Sequence, residues 1–362
     1  MIRYTKGHRY YVPWGEQLKI NGINIGSAYK PYVIAEMSGN HLGSLDSACE
    51  LMEKSASAGA NAFKLQTYSA STLTIDCARE EYIVRDGPWD GRTLYDLYSQ
   101  GHTPNEWLQP LAKLACKLGI TLFSTPFGLQ EVEILEDLGV QVYKIASFEI
   151  TYTQLLEKIG STGKPVIFST GLATLTEISN AVETLRNAGS GPIAILKCTT
   201  AYPAQVKDLN LKTIEYLIKK LDVPVGFSDH TIGTNAAIAA VGAGATIFEK
   251  HVKLDEDFTS VDSTFSLPVS KLNEYIFNIN EAYDSIGNVQ DGPTLNERGY
   301  LKYRRSIVAS RDIYKGEIIS EDNVVIVRPS TGVEPVHLKS ILGKKVIQNL
   351  ALGQGIVFEV LE

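Results

Sequence analysis

The chain reads as an α/β protein: a parallel (β/α)8 barrel of the TIM type followed by a small β domain. Three observations predict this. Apolar, strand-like runs alternate strictly with helical patterns, eight times over. The runs are near-continuously apolar, as in parallel sheets buried on both faces. Almost every run ends in polar residues, which suits a barrel with its chemistry along one rim; a doubly wound sheet would gather its ligand groups at one switch point.

The eight runs fall at residues 32–36, 62–66, 121–124, 140–146, 165–169, 193–198, 223–228 and 245–250. Two of the intervening helices carry start signals. Thr103-Pro104-Asn105-Glu106 and Thr174-Leu175-Thr176-Glu177 both read as capping boxes, the first with Pro at the first helical position. Pro110 lies inside the first of these helices and is expected to bend it. The second continues into Ile178, Val182 and Leu185 on one face. The last barrel helix is placed at 271–286, which makes 31–286 the barrel domain. Residues 287–305 are polar and turn-rich and read as a linker. Residues 306–362 show short β-like runs between Lys315-Gly316-Glu317, Pro329-Ser330-Thr331-Gly332 and Gly353-Gln354-Gly355, the pattern of a small all-β module. At under about 60 residues such a module is expected to pack on the barrel or on a partner subunit. Residues 1–30 form an extension, with 7–30 read as a hairpin lid over one end of the barrel.

Composition narrows the function classes. A chain of 362 residues can bury a large core and a second, smaller one. Its 34 basic and 41 acidic residues give a net charge of -7, with no basic run of the kind that binds nucleic acid. Cys49, Cys77, Cys116 and Cys198 are scattered, and no secretory h-region follows Met1-Ile2-Arg3-Tyr4. No apolar run approaches the roughly 20 residues of a membrane span. The expectation is a soluble cytoplasmic enzyme acting on small molecules.

In a barrel the functional groups stand at the carboxyl ends of the strands. Here those ends carry Lys64, Lys144 and a series of hydroxyls: Thr125, Ser147, Ser169, Ser228. Lysines, hydroxyls and free backbone N–H groups on one mouth suit a phosphate with a carboxylate beside it, hence a phosphorylated carboxylic acid. His230 and His251 end two consecutive runs with 20 residues between them, so both imidazoles are expected at the same rim. Two imidazoles among carboxylates, with Asp262 on the following loop, suit an open divalent-metal site better than a closed structural zinc site. Glu36 and Glu149, at the ends of the first and fourth runs, are acid/base candidates. Lys64 or Lys144 could instead form a Schiff base, as in barrel aldolases.

The strand-end motifs together resemble the sialic acid synthase family. They are Ala35-Glu36-Met37-Ser38-Gly39-Asn40-His41, Lys64-Leu65-Gln66-Thr67-Tyr68, Lys144-Ile145-Ala146-Ser147-Phe148-Glu149, Ser169-Thr170-Gly171, Ser228-Asp229-His230-Thr231, Glu249-Lys250-His251 and Asp262-Ser263-Thr264-Phe265-Ser266-Leu267. The tail from Arg311 to Lys344 is similar to the family's antifreeze-protein-like (SAF) domain. The resemblance implies a transferase that condenses phosphoenolpyruvate with an N-acetylated sugar to make a nonulosonic acid. Lys64, Thr125, Lys144, Ser147, Ser169 and Ser228 would then hold phosphoenolpyruvate. His230 and His251 would bind the metal, Mn²⁺ first, with Mg²⁺ or Co²⁺ as alternatives. Glu36, Gln66 and Asp262 would face the sugar and Glu149 the reacting carbons. Arg328 corresponds to an arginine offered to the sugar site of the other subunit, which implies a domain-swapped homodimer.

Trp89-Asp90-Gly91, Leu94-Tyr95-Asp96-Leu97-Tyr98 and the segment Lys197 to Ala204 resemble the pseudaminic acid branch, whose sugar is a 6-deoxy, 2,4-diacetamido sugar. The insertion at 69–102 would wall that apolar substrate with Trp89, Tyr95 and Tyr98, and Tyr68 and Tyr202 would join them. Legionaminate and N-acetylneuraminate chemistry remain alternatives, as does, in another class, a carbohydrate-binding protein on a degenerate barrel. Three departures stand out: Gly128 replaces an Asp common after the Ser-x-Pro-Phe motif, Thr200 stands where Ser is common, and Ala201 stands where sialic acid synthases usually carry Asn.

Overall fold

A computed structural model describes residues 18–362. They divide into two compact units, which part between Asn288 and Val289. In the first, eight parallel strands close into a barrel: β1 (Tyr32–Glu36), β2 (Ala62–Thr67), β3 (Thr121–Pro126), β4 (Tyr143–Ile145), β5 (Val166–Ser169), β6 (Ile193–Cys198), β7 (Val225–Asp229) and β8 (Ile247–Lys253). Each pairs in parallel with the next, and β8 pairs with both β7 and β1, which leaves no free edge. Each strand is followed by its helix: α1 (Leu45–Ser57), α2 (Asn105–Leu118), α3 (Leu129–Leu138), α4 (Thr153–Gly160), α5 (Leu175–Asn187), α6 (Lys212–Leu221), α7 (Asn235–Gly242) and α8 (Leu272–Ile286).

Alternation along the strands sorts the residues into two layers of environment. Val33, Ala35, Phe63, Leu65, Phe227 and Phe248 face outward and join the helices' apolar stripes in one continuous core. The opposite face holds Tyr32, Ile34, Ala62, Phe123, Val142, Ile167, Ala194, Leu196 and Ile247, packed with Leu18, Ile20 and Ile25. Ile20 belongs to a hairpin of Lys19–Ile20 with Ile23–Asn24, which Leu18 and Ile25 flank. Of the segment 7–30 read as a hairpin lid, residues 7–17 lie outside the described residues. Toward the carboxyl ends the same inward face turns polar, through Glu36, Lys64, Thr125, Lys144, Ser169, Ser228, Glu249 and His251, all buried. The apolar half of the barrel interior thus closes one end and leaves the other for chemistry.

The capping-box expectation holds for one helix and fails for the other. Thr174 and Glu177 satisfy each other's backbone N–H groups at the start of α5. At α2 the N-cap is Pro104, the cap makes no side-chain hydrogen bond, and the helix runs unbroken through Pro110. The Thr103 side chain, one residue too early and buried, has no hydrogen-bond partner among the described residues.

In the second unit Ser306–Ala309 pairs antiparallel with Val324–Val327, and isolated bridges join Val308 to Gly355, Ile313 to Leu350 and Ile318 to Lys345. Ile307, Ile313, Ile341, Val346, Leu350 and Ile356 form its core. It is not purely β: a helical stretch runs from Pro335 to Ile341. The segment read as a linker is also ordered into short helices at Leu295–Arg298 and Leu301–Tyr303, because Thr294 and Glu297 form a capping box that the sequence reading passed over.

Candidate active site

The strands' alternation brings two lysines and two carboxylates together at the centre of the polar end. Lys64 Nζ stands 2.6 Å from Glu36 Oε2, 3.3 Å from Thr125 Oγ1 and 3.9 Å from Glu249 Oε1. Lys144 Nζ donates to Ser169 Oγ at 2.6 Å and stands 3.9 Å from Glu249 Oε2. Ser228 Oγ donates to Glu249 Oε1 at 3.4 Å. Glu249 therefore bridges both ammonium groups. Such a cluster is costly to desolvate, and removing one member would strand an opposite charge at about 3–5 kcal/mol.

Burial and charge set the protonation of this cluster. Burial, reinforced by the Glu249 carboxylate and opposed by Lys64, pushes Glu36 up to about 7. Glu249 is pushed up by burial, but Lys144 and Lys64 outweigh that and hold it below its usual value. Burial also draws on Lys64, yet Glu249 and Glu36 keep it raised, while burial lowers Lys144. The group holds two cationic donors and the hydroxyls of Thr125, Ser169 and Ser228 toward one point, the chemistry of a phosphate and carboxylate seat.

The neighbouring loops add backbone to this seat. Gly171 N–H donates to Ser147 Oγ at 3.0 Å. A Cβ at Gly171 would lie 1.9 Å from Thr200 Oγ1 and 2.8 Å from Ser147 Oγ, so the close approach of the loops after β4, β5 and β6 requires glycine there. Gly128 has a similar reason: a Cβ would meet Glu131 and Thr72, which hydrogen-bond to each other at 2.6 Å. Glu149, on the turn after β4, is pushed up to about 7 by burial, with Lys144 opposing, and its Oε2 has no partner among the described residues.

His230 and His251 emerge beside one another, ring centroids 5.4 Å apart. His230 Nδ1 lies 3.0 Å from the Thr199 carbonyl and 3.9 Å from Cys198 Sγ. A bond to that carbonyl puts the proton on Nδ1 and leaves Nε2 as the donor atom. His251 is held neutral by burial, with the nearby His230 and Lys64 in support, and its Nδ1 is buried without a hydrogen-bond partner among the described residues. Asp262 Oδ2 stands 4.0 Å from that nitrogen and accepts from Ser38 Oγ. An orphaned buried imidazole nitrogen, a second imidazole oriented by a carbonyl and an adjacent carboxylate fit a divalent cation. Among the described residues no three His, Cys, Asp or Glu side chains form a ready cage, so further coordination would come from water and substrate.

An aromatic wall adjoins the imidazoles. Tyr202 lies 4.5 Å from His230 and 4.9 Å from Phe265, centroid to centroid, and Trp89 stands 5.6 Å from Tyr202. Trp89 Nε1 donates to the Val261 carbonyl at 2.7 Å, which ties the insertion after β2 to the loop carrying Asp262. Tyr68 packs with Tyr98 and Phe127 in a second aromatic group. Gln66 is on the same face as Lys64 and pairs in register with Thr125. Tyr95 is half-buried and makes none of these ring contacts.

Arg328 belongs to the second unit, where with Arg304, Arg305, Tyr300 and Tyr303 it lines an open groove of about 800 Å³. The sequence reading gave no role to Glu249, Phe265 or Ser38. Glu249 was readable, since it precedes His251 by two residues on the same strand face; Phe265 and Ser38 sit on loops, where no periodicity speaks.

Comparison with known proteins agrees with this architecture. The NeuB family model matches residues 51–291 and the SAF domain model residues 304–362. The chain is 39% identical over 336 residues to a pseudaminic acid synthase of Campylobacter jejuni, covering 92% of this chain and 97% of that one. It is 34% identical to an N,N'-diacetyllegionaminic acid synthase of Legionella pneumophila, covering 96% and 99%. A crystal structure of N-acetylneuraminic acid (sialic acid) synthetase from Leptospira borgpetersenii superposes with a TM-score of 0.70 at 29% identity, over 79% of this chain and 95% of that one. With its closed eight-stranded barrel and its C-terminal SAF domain, the chain belongs to the NeuB family, that of the sialic acid synthases.

Proposed function

We propose that this chain is a cytoplasmic transferase that condenses phosphoenolpyruvate with 2,4-diacetamido-2,4,6-trideoxy-altrose to give pseudaminate and phosphate. The observation that carries the reaction is the buried Lys64–Lys144 pair, bridged by Glu249 and ringed by hydroxyls beside two imidazoles. The sugar rests on the 39% identity to a pseudaminic acid synthase and on the wall of Trp89, Tyr202 and Phe265, apolar surface suited to a methyl and two acetamido groups. The legionaminic acid synthase at 34% identity favours its own diacetamido sugar as the second reading.

In this reading Lys64, Thr125, Lys144, Ser147, Ser169 and Ser228 hold phosphoenolpyruvate by its phosphate and carboxylate. Glu36, Gln66, Asp262 and the aromatic wall orient the sugar, and Arg328 reaches it from the SAF domain of a partner subunit. His230 and His251 would hold a divalent metal, Mn²⁺ first, which supplies Lewis-acid polarisation of the sugar's aldehyde oxygen. Carbon 3 of phosphoenolpyruvate bonds to C1 of the sugar, whose oxygen takes up a proton. Positive charge then develops at C2, where the ionised Glu149 stabilises it electrostatically. Water adds to C2 and gives up a proton; Glu36, with its pKa near 7, is matched to that transfer. The C2–O bond to phosphate breaks, leaving the C2 ketone and inorganic phosphate.

The bond cleaved is the test. Phosphoenolpyruvate labelled with ¹⁸O at the bridging oxygen, turned over with the altrose sugar, should deliver the label to phosphate. Label retained at C2 of the product would mean P–O cleavage and overturn the mechanism.

A further inference from the structure

One step behind the two imidazoles, on the opposite face of the barrel wall, lies an ion pair that none of the roles above uses. Asp229 and Lys250 are directly opposed partners in the β7–β8 register. Both are essentially inaccessible to solvent, at 1% exposure each. Strand alternation turns them outward, toward the helices, Asp229 between Ser228 on β7 and His230 just after it, and Lys250 between Glu249 and His251 on β8.

The pair is fully hydrogen-bonded, and its bonds enclose His230. Lys250 Nζ stands 3.1 Å from Asp229 Oδ2 and also donates to the Thr231 carbonyl. Asp229 Oδ1 accepts from Thr231 N–H at 2.9 Å and from Thr231 Oγ1 at 2.6 Å. Tyr275, on α8, donates to Asp229 Oδ2 at 3.1 Å, and its ring lies under the ammonium at 5.7 Å. Lys250 thus binds the residue before His230 and the residue after it, while itself immediately preceding His251.

We infer that the Asp229–Lys250–Tyr275 cluster is a positioning clamp that sets the spacing of His230 and His251 for a divalent cation. The inference rests on the reading of those imidazoles as metal ligands. A buried ion pair is a poor source of stability, and an apolar pair of similar shape would hold the two strands at least as well. What the charged pair adds is direction: four donors converge on one carboxylate, and the two strand ends can close in one register only. Residues that hold ligands from behind typically change metal affinity about 10- to 100-fold when removed.

The test is Mn²⁺ binding to the metal-free protein, read by electron paramagnetic resonance of the free ion, in Lys250→Met and in the charge-neutral double variant D229N/K250M. Hydrogen exchange of the amides at residues 228–231 and 249–252 is measured in the same proteins. The clamp predicts Mn²⁺ affinity lowered about 10- to 100-fold and faster exchange at both strand ends, in proteins that still melt cooperatively. Y275F, which deletes a single bond to Asp229, should lie between wild type and Lys250→Met. Unchanged affinity in the folded variants would overturn the clamp. Should Lys250→Met fail to fold, the double variant and Y275F decide in the same way. If the wild-type protein itself binds no Mn²⁺, the metal-ligand reading falls, and unchanged exchange at the strand ends would remove the clamp as well.

Discussion

Glu149 shows how a single environment fixes a residue's chemistry. Burial holds its carboxyl near 7, against the usual 4.5, so the folded chain binds more protons than the unfolded chain between those values. Stability therefore falls as pH rises through that window, and Glu36, raised in the same way, adds to the slope. Glu149→Gln should be more stable than wild type at pH 8 and equal to it at pH 4 in denaturant titrations; parallel pH profiles would contradict the assigned burial. If ionised Glu149 stabilises charge at C2, wild-type kcat/KM rises with pH through about 7. Glu149→Gln should lose turnover by roughly 100-fold or more while still binding phosphoenolpyruvate. Glu36, Lys64, Lys144, His230 and His251 were legible because each lies within or at the end of an apolar run, where an ionisable side chain needs a reason. Glu249 needed one further step, the recognition that it shares a face with His251.

At the scale of elements, the period of two along the strands decides which residues meet, and loop approach decides how closely. All eight strands were legible as runs, and the capping box at α5 was legible from its two residues. The start of α2 was not: Thr103-Pro104-Asn105-Glu106 has the right composition, but the chain enters the helix one residue later and strands the threonine hydroxyl. The contacts of the insertion after β2 were also hidden, since Trp89 meets Tyr202 only through the closure of the barrel. Gly171 is where three loops converge. Gly171→Ala should fold but weaken phosphoenolpyruvate binding about tenfold or more, because the new methyl displaces Ser147 and Thr200. Isothermal titration would show it, and an unchanged affinity would place the anion seat elsewhere.

For the whole molecule, the account requires two chains per complete site. Arg328→Ala should raise the sugar KM and leave phosphoenolpyruvate binding intact. A mixture refolded from Arg328→Ala and Glu149→Gln chains carries the question further. In a domain-swapped dimer one site of each mixed pair combines an intact barrel with an intact arginine, so roughly a quarter of full activity should return. No recovery would mean that Arg328 serves its own barrel. No helix among the described residues is long and apolar enough to cross a membrane.

Phosphate release from phosphoenolpyruvate with Mn²⁺ tests the central claim most directly, comparing 2,4-diacetamido-2,4,6-trideoxy-altrose, the legionaminate precursor and N-acetylmannosamine, each with and without chelator. The account predicts release with the altrose sugar alone, abolished by chelator. Release with another sugar in its place, or with none of the three, would contradict it.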